Sequence, residues 1–214
     1  MTRLYSFFRK AKAWQLFLLM IVLPFFLQFG LMVTFAFITV KHIGDPKVTS
    51  FVPFYIIPIV LVLALGSVLM WMRSIVFGLE HRVPEEARVS LKGFNFFSLI
   101  PIFYFFLLGV FLFFLLQFIA SVQHQPTQDF PSVGVPFIAM FILIVPLHLL
   151  SIAGLFYSFY ITAKTIRSVE LGRKVVFSDY AGEFFLLWFH LIGIWIIQPR
   201  INEMFSNSQT ENQA

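Results

Sequence analysis

The chain has 214 residues, of which 59% are hydrophobic and only 12% are charged, and its formal net charge is +5. Because a soluble domain carries about 25% charged residues, this composition excludes an ordinary soluble protein and favours a multi-span membrane protein. The absence of cysteine excludes disulfide bonds, thiolate catalysis and cysteine-based metal sites.

Four basic residues precede the first apolar run, which extends over residues 14–40. This run is longer than the apolar region of a signal peptide, which has about 7–15 residues, and it is long enough to cross a bilayer with tilt. We therefore predict a basic cytoplasmic N-terminus over residues 1–13, followed by an uncleaved first span over 14–40 that is kinked at Pro24.

Three further apolar runs predict spans over about residues 53–77, 95–122 and 135–163. Residues 14–163 would thus form a bundle of four transmembrane helices in two hairpins, and the fold class is an all-α integral membrane protein. We expect Arg73, near the end of the second span, to extend its side chain to the membrane interface.

Lysine and arginine are distributed unequally between the two sides of this bundle. Twelve of the fifteen lie before the first span, within residues 73–92 or within residues 164–174, whereas only Lys41 and Lys47 lie on the opposite side. This bias predicts that the N-terminus and the middle loop are cytoplasmic.

The cytoplasmic segment 164–183 combines charged residues with turn signals. Arg167, Glu170 and Lys174 have helical ion-pair spacing, so the fourth span should continue as a helix to Gly172, which suits a left-handed cap. Residues 175–177 are β-branched or aromatic and predict a short extended piece that pairs with residues 89–91. Ser178 or Asp179 would then cap a new helix.

Residues 184–202 form a second, shorter apolar element. Its apolar part, 184–197, would cover about 21 Å as a helix, less than the roughly 30 Å of a hydrocarbon core. We therefore favour a re-entrant or interfacial element that turns near residues 190–193, with a thin fifth span as the alternative. Residues 203–214 are predicted to be a polar disordered tail.

The run ELGRKVVFSDYAGEFFLLWFHLIGIWIIQPRIN, residues 170–202, resembles the C-terminal part of uncharacterised small integral membrane proteins of Bacteroidetes-type bacteria. The resemblance implies a location in the bacterial inner (cytoplasmic) membrane. It implies no catalytic, cofactor-binding or metal-binding residue.

One helical face of the fourth span is polar or small. Spacings of three or four residues place its members on neighbouring turns. We interpret the face as a helix-packing seam against Ala64 and Ser67 or against a second copy of the chain, with a polar substrate path as the alternative. A hydrogen bond with Gln28 of the first span would satisfy the histidine near mid-membrane. The face comprises His148, Ser151, Gly154, Ser158 and Thr162.

The sequence contains no nucleotide-binding, metalloprotease or nucleophile-elbow motif. We therefore expect a non-enzymatic membrane module without a cofactor or metal, which contacts the lipid bilayer and no nucleic acid. Its cytoplasmic face would dock a membrane-protein partner, a second copy or anionic lipid head groups. A small channel or transporter component that uses the polar face of the fourth span is the alternative. The docking candidates are Arg167, Arg173, Lys174 and Arg200.

Overall fold

The computed structural model describes residues 3–41, 52–124 and 130–211. Within these ranges the chain is helical and has no β-strand. Four of the described segments are long and apolar enough to cross a membrane, namely Ala13–Ile38, Pro58–Arg82, Glu85–Leu115 and Ile142–Leu171. The protein is therefore an all-helical, multi-pass membrane protein, which confirms the predicted fold class.

The N-terminal part is a short helix followed by a longer helical segment that contains one π turn. Helix α1 is Arg3–Lys10, α2 is Ala13–Phe17 and α3 is Leu23–Lys41, and a π-helical turn, Leu18–Val22, joins α2 to α3. Pro24 has no N–H, and its ring displaces the carbonyl four residues earlier, so the backbone widens just before it. The π turn therefore lies directly before the position at which the sequence predicted a kink.

The core surrounds the second half of α4, which is Val52–Leu79. Helix α5, Leu91–His124, and helix α6, Phe130–Leu171, pack beside it, and two 3₁₀ turns between residues 80 and 87 connect α4 to α5. By contrast, α3 exposes many large apolar side chains, as a helix facing lipid does. The fully buried residues of α4 include Leu69, Trp71, Met72, Ile75 and Leu79.

The connection between α6 and the next helix differs in part from the expectation. Helix α6 ends at Leu171 and Gly172 has a φ of 61°, as the sequence indicated. Val176 is extended, but within the described residues it forms no β-pairing with residues 89–91, because Val175 is buried in the helical core. Helix α7 begins at Phe177, and the Asp179 carboxylate accepts a 3.0 Å hydrogen bond from the N–H of Val176.

The C-terminal part is a helical hairpin of α7, Phe177–Trp188, and α8, His190–Glu211. The chain turns at Phe189, whose φ of −87° and ψ of 53° are not helical. A Cβ atom added to Gly193 would clash with the carbonyl oxygen of Leu186, so only glycine permits this close turn.

Both arms of the hairpin return to the same end of α6. Glu183 of α7 and Glu170 of α6 both contact Arg200 of α8. At the tip of the hairpin, the ring of Trp188 packs edge-to-face on that of Phe156 of α6, with ring centres 4.9 Å apart. Phe156 lies about 21 Å along α6 from Glu170, at 1.5 Å per residue. The hairpin therefore extends alongside α6 by less than the roughly 30 Å of a hydrocarbon core.

Residues 203–211, for which the sequence predicted a polar disordered tail, continue α8 in the structure. Tertiary contacts hold this extension: the Arg9 guanidinium lies 5.1 Å from the centre of the Phe205 ring, and Arg82 donates a hydrogen bond to the carbonyl of Met204. A Cβ atom at Gly78 would lie 2.6 Å from the Phe205 ring, so the glycine makes room for it. Residues 212–214 lie outside the described residues.

These contacts gather four segments at one end of the bundle, which we call the basic end: residues 3–12, 73–92, 164–183 and 198–206. Tyr5 of α1 stacks on Phe77 of α4 with ring centres 6.1 Å apart. All the described lysines and arginines except Lys41 belong to the basic end.

Candidate functional site

The polar face of α6 is mainly a packed interior surface. Ser151, Ser158 and Thr162 are all buried. The hydroxyl of Ser158 donates to the carbonyl of Gly154, and that of Thr162 donates to the carbonyl of Ser158, each at 2.8 Å. These hydroxyls are satisfied by their own helix, so this part of the face resembles a packing seam and not a polar lining.

At Gly154 the seam packs on α5, whereas the prediction named Ala64 and Ser67 of α4. A Cβ atom at Gly154 would lie 2.6 Å from the carbonyl oxygen of Phe97, so the glycine brings the backbones of α5 and α6 into contact. The hydroxyl of Ser67 donates to the carbonyl of Ala64 at 2.7 Å within α4. The backbones of α5 and α6 can approach this closely because Gly154 has no side chain.

The proposed hydrogen bond between Gln28 and His148 is not formed between these two described residues. His148 is exposed, and its ring centre lies 5.2 Å from that of Tyr104 on α5. Gln28 is half-buried on α3, which packs on α4. The two polar groups are thus kept apart because α5 is the neighbour of this part of α6.

An ion-pair cluster of Arg167, Glu170, Glu183 and Arg200 joins the C-terminal hairpin to α6. One nitrogen of Arg200 lies 2.6 Å from both carboxylate oxygens of Glu170 and 2.9 Å from Glu183. Arg167 lies 2.8 Å from Glu170 and 3.8 Å from Glu183. Two arginines and two glutamates balance in charge, and Glu183 is only 7% exposed.

Three of the four docking candidates are therefore occupied inside the chain. Arg167 and Arg200 belong to the ion-pair cluster, and Arg173 pairs with Asp179 at 3.1 Å. Only Lys174 is exposed without an ion pair to a described carboxylate. We infer that the three arginines mainly hold α7 and α8 against α6.

The electrostatics of the cluster agree with this structural role. Burial by itself lowers the pKa of Arg200, but the hydrogen bonds to Glu170 and Glu183 together with their negative charges more than offset it, so the pKa is raised. The hydrogen bond from the N–H of Val176, and then those from Arg173, hold the pKa of Asp179 below its ordinary value.

A buried glutamine that the sequence analysis did not identify joins both termini to the central helix. The side-chain oxygen of Gln198 accepts a 2.7 Å hydrogen bond from the indole N–H of Trp71. Its nitrogen lies 2.8 Å from the carbonyl oxygen of Ala11, in the non-helical link between α1 and α2. The same nitrogen lies 2.9 Å from the side-chain oxygen of Asn202. The signal in the sequence was the pair of amide side chains Gln198 and Asn202, which are one helical turn apart and directly follow the apolar run 184–197.

Arg73 does not extend to the interface as expected; the residue is only 7% exposed. Its guanidinium donates to Ser98 at 2.6 Å and to the side chain of Asn95 at 2.5 Å, both on α5. It also donates to the hydroxyl of Tyr5 at 3.4 Å. Because α1 covers it, Arg73 is surrounded by neutral acceptors, and its interactions include no carboxylate of the described residues.

In the part of the chain that the structure describes, no three histidine, aspartate or glutamate side chains are grouped as a metal site would require. In the connection between α4 and α5, Glu85 pairs with Arg88 at 3.7 Å on the exposed surface. Comparison of the chain with protein-family models, with curated proteins and with solved structures finds no match.

Proposed function

We propose that the protein is a non-enzymatic membrane module that docks a partner protein, or anionic lipid head groups, through the basic end. The proposal locates it in the bacterial inner membrane with the N-terminus and the basic end in the cytoplasm. The bias of lysine and arginine towards this end supports that orientation.

The observation that carries the proposal is a group of exposed cations left over after the internal ion pairs are formed. Five residues of the basic end are exposed and make no ion pair with any described carboxylate. Exposed charges of one sign attract an oppositely charged surface and speed its approach. These residues are Arg3, Lys10, Lys12, Lys92 and Lys174.

The arginines of the ion-pair cluster are poor residues with which to test docking. Replacing Arg167 or Arg200 would leave Glu170 and Glu183 without their partners and loosen the hairpin, so a loss of binding would have two explanations. The exposed lysines are better suited because they have no such structural contacts among the described residues.

The experiment places a photoreactive amino acid at Ser178, which is exposed at the basic end, and identifies cross-linked molecules from living cells by mass spectrometry. We expect a defined adduct with the wild-type chain. The adduct should be lost when four lysines are changed together to glutamine and retained when they are changed to arginine, because arginine keeps the charge. The four are Lys10, Lys12, Lys92 and Lys174.

Lys41 is the last residue of α3 and lies outside the basic end. Lys41→Gln is therefore the matched control and should leave the adduct unchanged. An adduct with one protein would make the chain a subunit or adaptor, and an adduct with lipid would favour head-group docking. An adduct that is insensitive to the four glutamine changes would contradict the proposal.

A further inference from the structure

The buried guanidinium of Arg73 carries a charge that no described carboxylate neutralises. It donates four hydrogen bonds, two to Asn95 and one each to Ser98 and Tyr5, and its carbon lies 5.4 Å from the centre of the Phe77 ring. All of these partners are neutral, and no described carboxylate lies within ion-pair distance. A buried charge is stable when an opposite charge pairs with it. One of the five N–H groups of the guanidinium also remains to be used.

An apolar groove of about 430 Å³ lies between α1, residues 19–27, α4 and α5. Its lining includes Leu4 and Phe8 of α1, Met70 of α4 and Ile102 of α5. Three of these residues are close in the chain to Arg73 or to one of its hydrogen-bond partners. Leu4 adjoins Tyr5, Met70 precedes Arg73 by one helical turn, and Ile102 follows Ser98 by one turn. The groove and the charge therefore belong to one site.

The length of the groove identifies the kind of molecule that fits it. Along α4 the lining extends from Val60 to Met70, a distance of about 15 Å at 1.5 Å per residue, which is half of a roughly 30 Å hydrocarbon core. Gly66 lies in the wall, and a Cβ atom added to it would meet no atom within 4 Å. The groove thus has the depth of one bilayer leaflet and space for an acyl chain.

We propose that this groove binds one anionic phospholipid from the leaflet at the basic end. The phosphate approaches Arg73 from the side of Asn95, which is exposed and whose amide N–H groups are directed to no described acceptor. Lys92, one turn earlier on α5, is also exposed and adds a second cation. An acyl chain occupies the groove below. Arginine suits this role because its planar N–H groups match phosphate oxygens.

This inference is carried by a buried arginine and a groove between helices, so it does not rest on the proposed function, with which it shares only Lys92. The test uses the full chain purified in a neutral detergent and incubated with phosphatidylglycerol or with phosphatidylcholine. Native mass spectrometry counts the lipids that remain bound. We expect one phosphatidylglycerol to be retained, with a preference over phosphatidylcholine on the order of tenfold, as for one hydrogen bond to a charged group.

Two variants separate the head-group contact from the groove. Arg73→Gln should abolish the preference for phosphatidylglycerol, because the charge is removed. Gly66→Leu should abolish retention of both lipids, because its side chain fills the groove where space is open, whereas Gly66→Ala should retain phosphatidylglycerol. Lys41→Gln lies at the other end and should behave as the wild type.

If Arg73→Gln does not fold, the double variant Lys92→Gln with Asn95→Ala tests the head-group contact without touching the buried guanidinium, and it should reduce the preference. The proposal is overturned if the wild type shows no preference, if both Arg73→Gln and the double variant keep it, or if Gly66→Leu retains the lipid. Displacement of the bound lipid by inorganic phosphate alone would also overturn it, since a free anion would then be the ligand.

Discussion

The indole N–H of Trp71 donates a hydrogen bond of 2.7 Å to the side-chain oxygen of Gln198, and both residues are fully buried. The nitrogen of the same glutamine lies within hydrogen-bonding distance of the carbonyl oxygens of Phe8 and Ala11. One side chain of α8 therefore contacts both the central helix α4 and the end of α1. The basic end is thus a single packed unit built from both termini.

We expect Gln198→Leu to reduce the free energy of unfolding by about 1–3 kcal/mol, because the Trp71 N–H would be left buried without a partner. The Ala11 carbonyl would keep only the 3.3 Å hydrogen bond from the Asn202 side chain. Unfolding in a mixed detergent series, followed by circular dichroism, measures this change. Gln28→Leu is the control, since Gln28 is only half-buried and bonds to no described residue. Equal losses in the two variants would argue against a special role for Gln198.

Gly154→Ala should destabilise the bundle by about 1–3 kcal/mol through overpacking, because its Cβ atom would lie 2.6 Å from the backbone oxygen of Phe97. Gly66→Ala is the same substitution in open space and should be neutral or slightly stabilising. The same unfolding series compares them. A harmless Gly154→Ala would show that α5 and α6 are further apart than the structure indicates.

Cysteine substitution tests the channel alternative, because the chain has no native cysteine. We expect Ser158→Cys to be protected from a small, membrane-impermeant thiol reagent, since Ser158 is fully buried, and Lys174→Cys to react in inside-out vesicles. Rapid labelling of Ser158→Cys in the folded protein would favour a water-filled path along α6.

The hairpin geometry predicts that the two ends of the chain lie on the same side of the membrane. Lys12→Cys and Ser206→Cys should therefore both react with the impermeant reagent in inside-out vesicles and both be protected in intact cells. Labelling of the two positions from opposite sides would support the thin fifth span instead.

The stability of the α7 start should depend on acid pH through Asp179. The pKa of this carboxyl is lowered in the folded protein, so its contribution is complete above the ordinary value of 3.8 and is lost as the pH falls through the lower, folded pKa. We expect the melting temperature of Asp179→Asn to fall less between pH 6 and pH 3 than that of the wild type. Glu85→Gln, at an exposed pair, should leave that decrease unchanged.

Local features of the chain were predictable from the sequence because they depend on neighbouring residues and on the solvent. Apolar runs long enough for a bilayer predicted the four spans, and Gly172 predicted the end of α6 through its left-handed conformation. The sequence also indicated that most cations belong to one end of the bundle, a bias that depends only on where charges fall between spans.

Only the tertiary structure decided which polar groups meet. Arg73 is buried and not interfacial because α1 folds over it, and Arg200 is paired because the hairpin returns to Glu170. The seam of α6 packs on α5 because the backbone of Phe97 fits against Gly154. Each of these outcomes depends on contacts between residues far apart in the chain, and local periodicity does not determine which helices become neighbours.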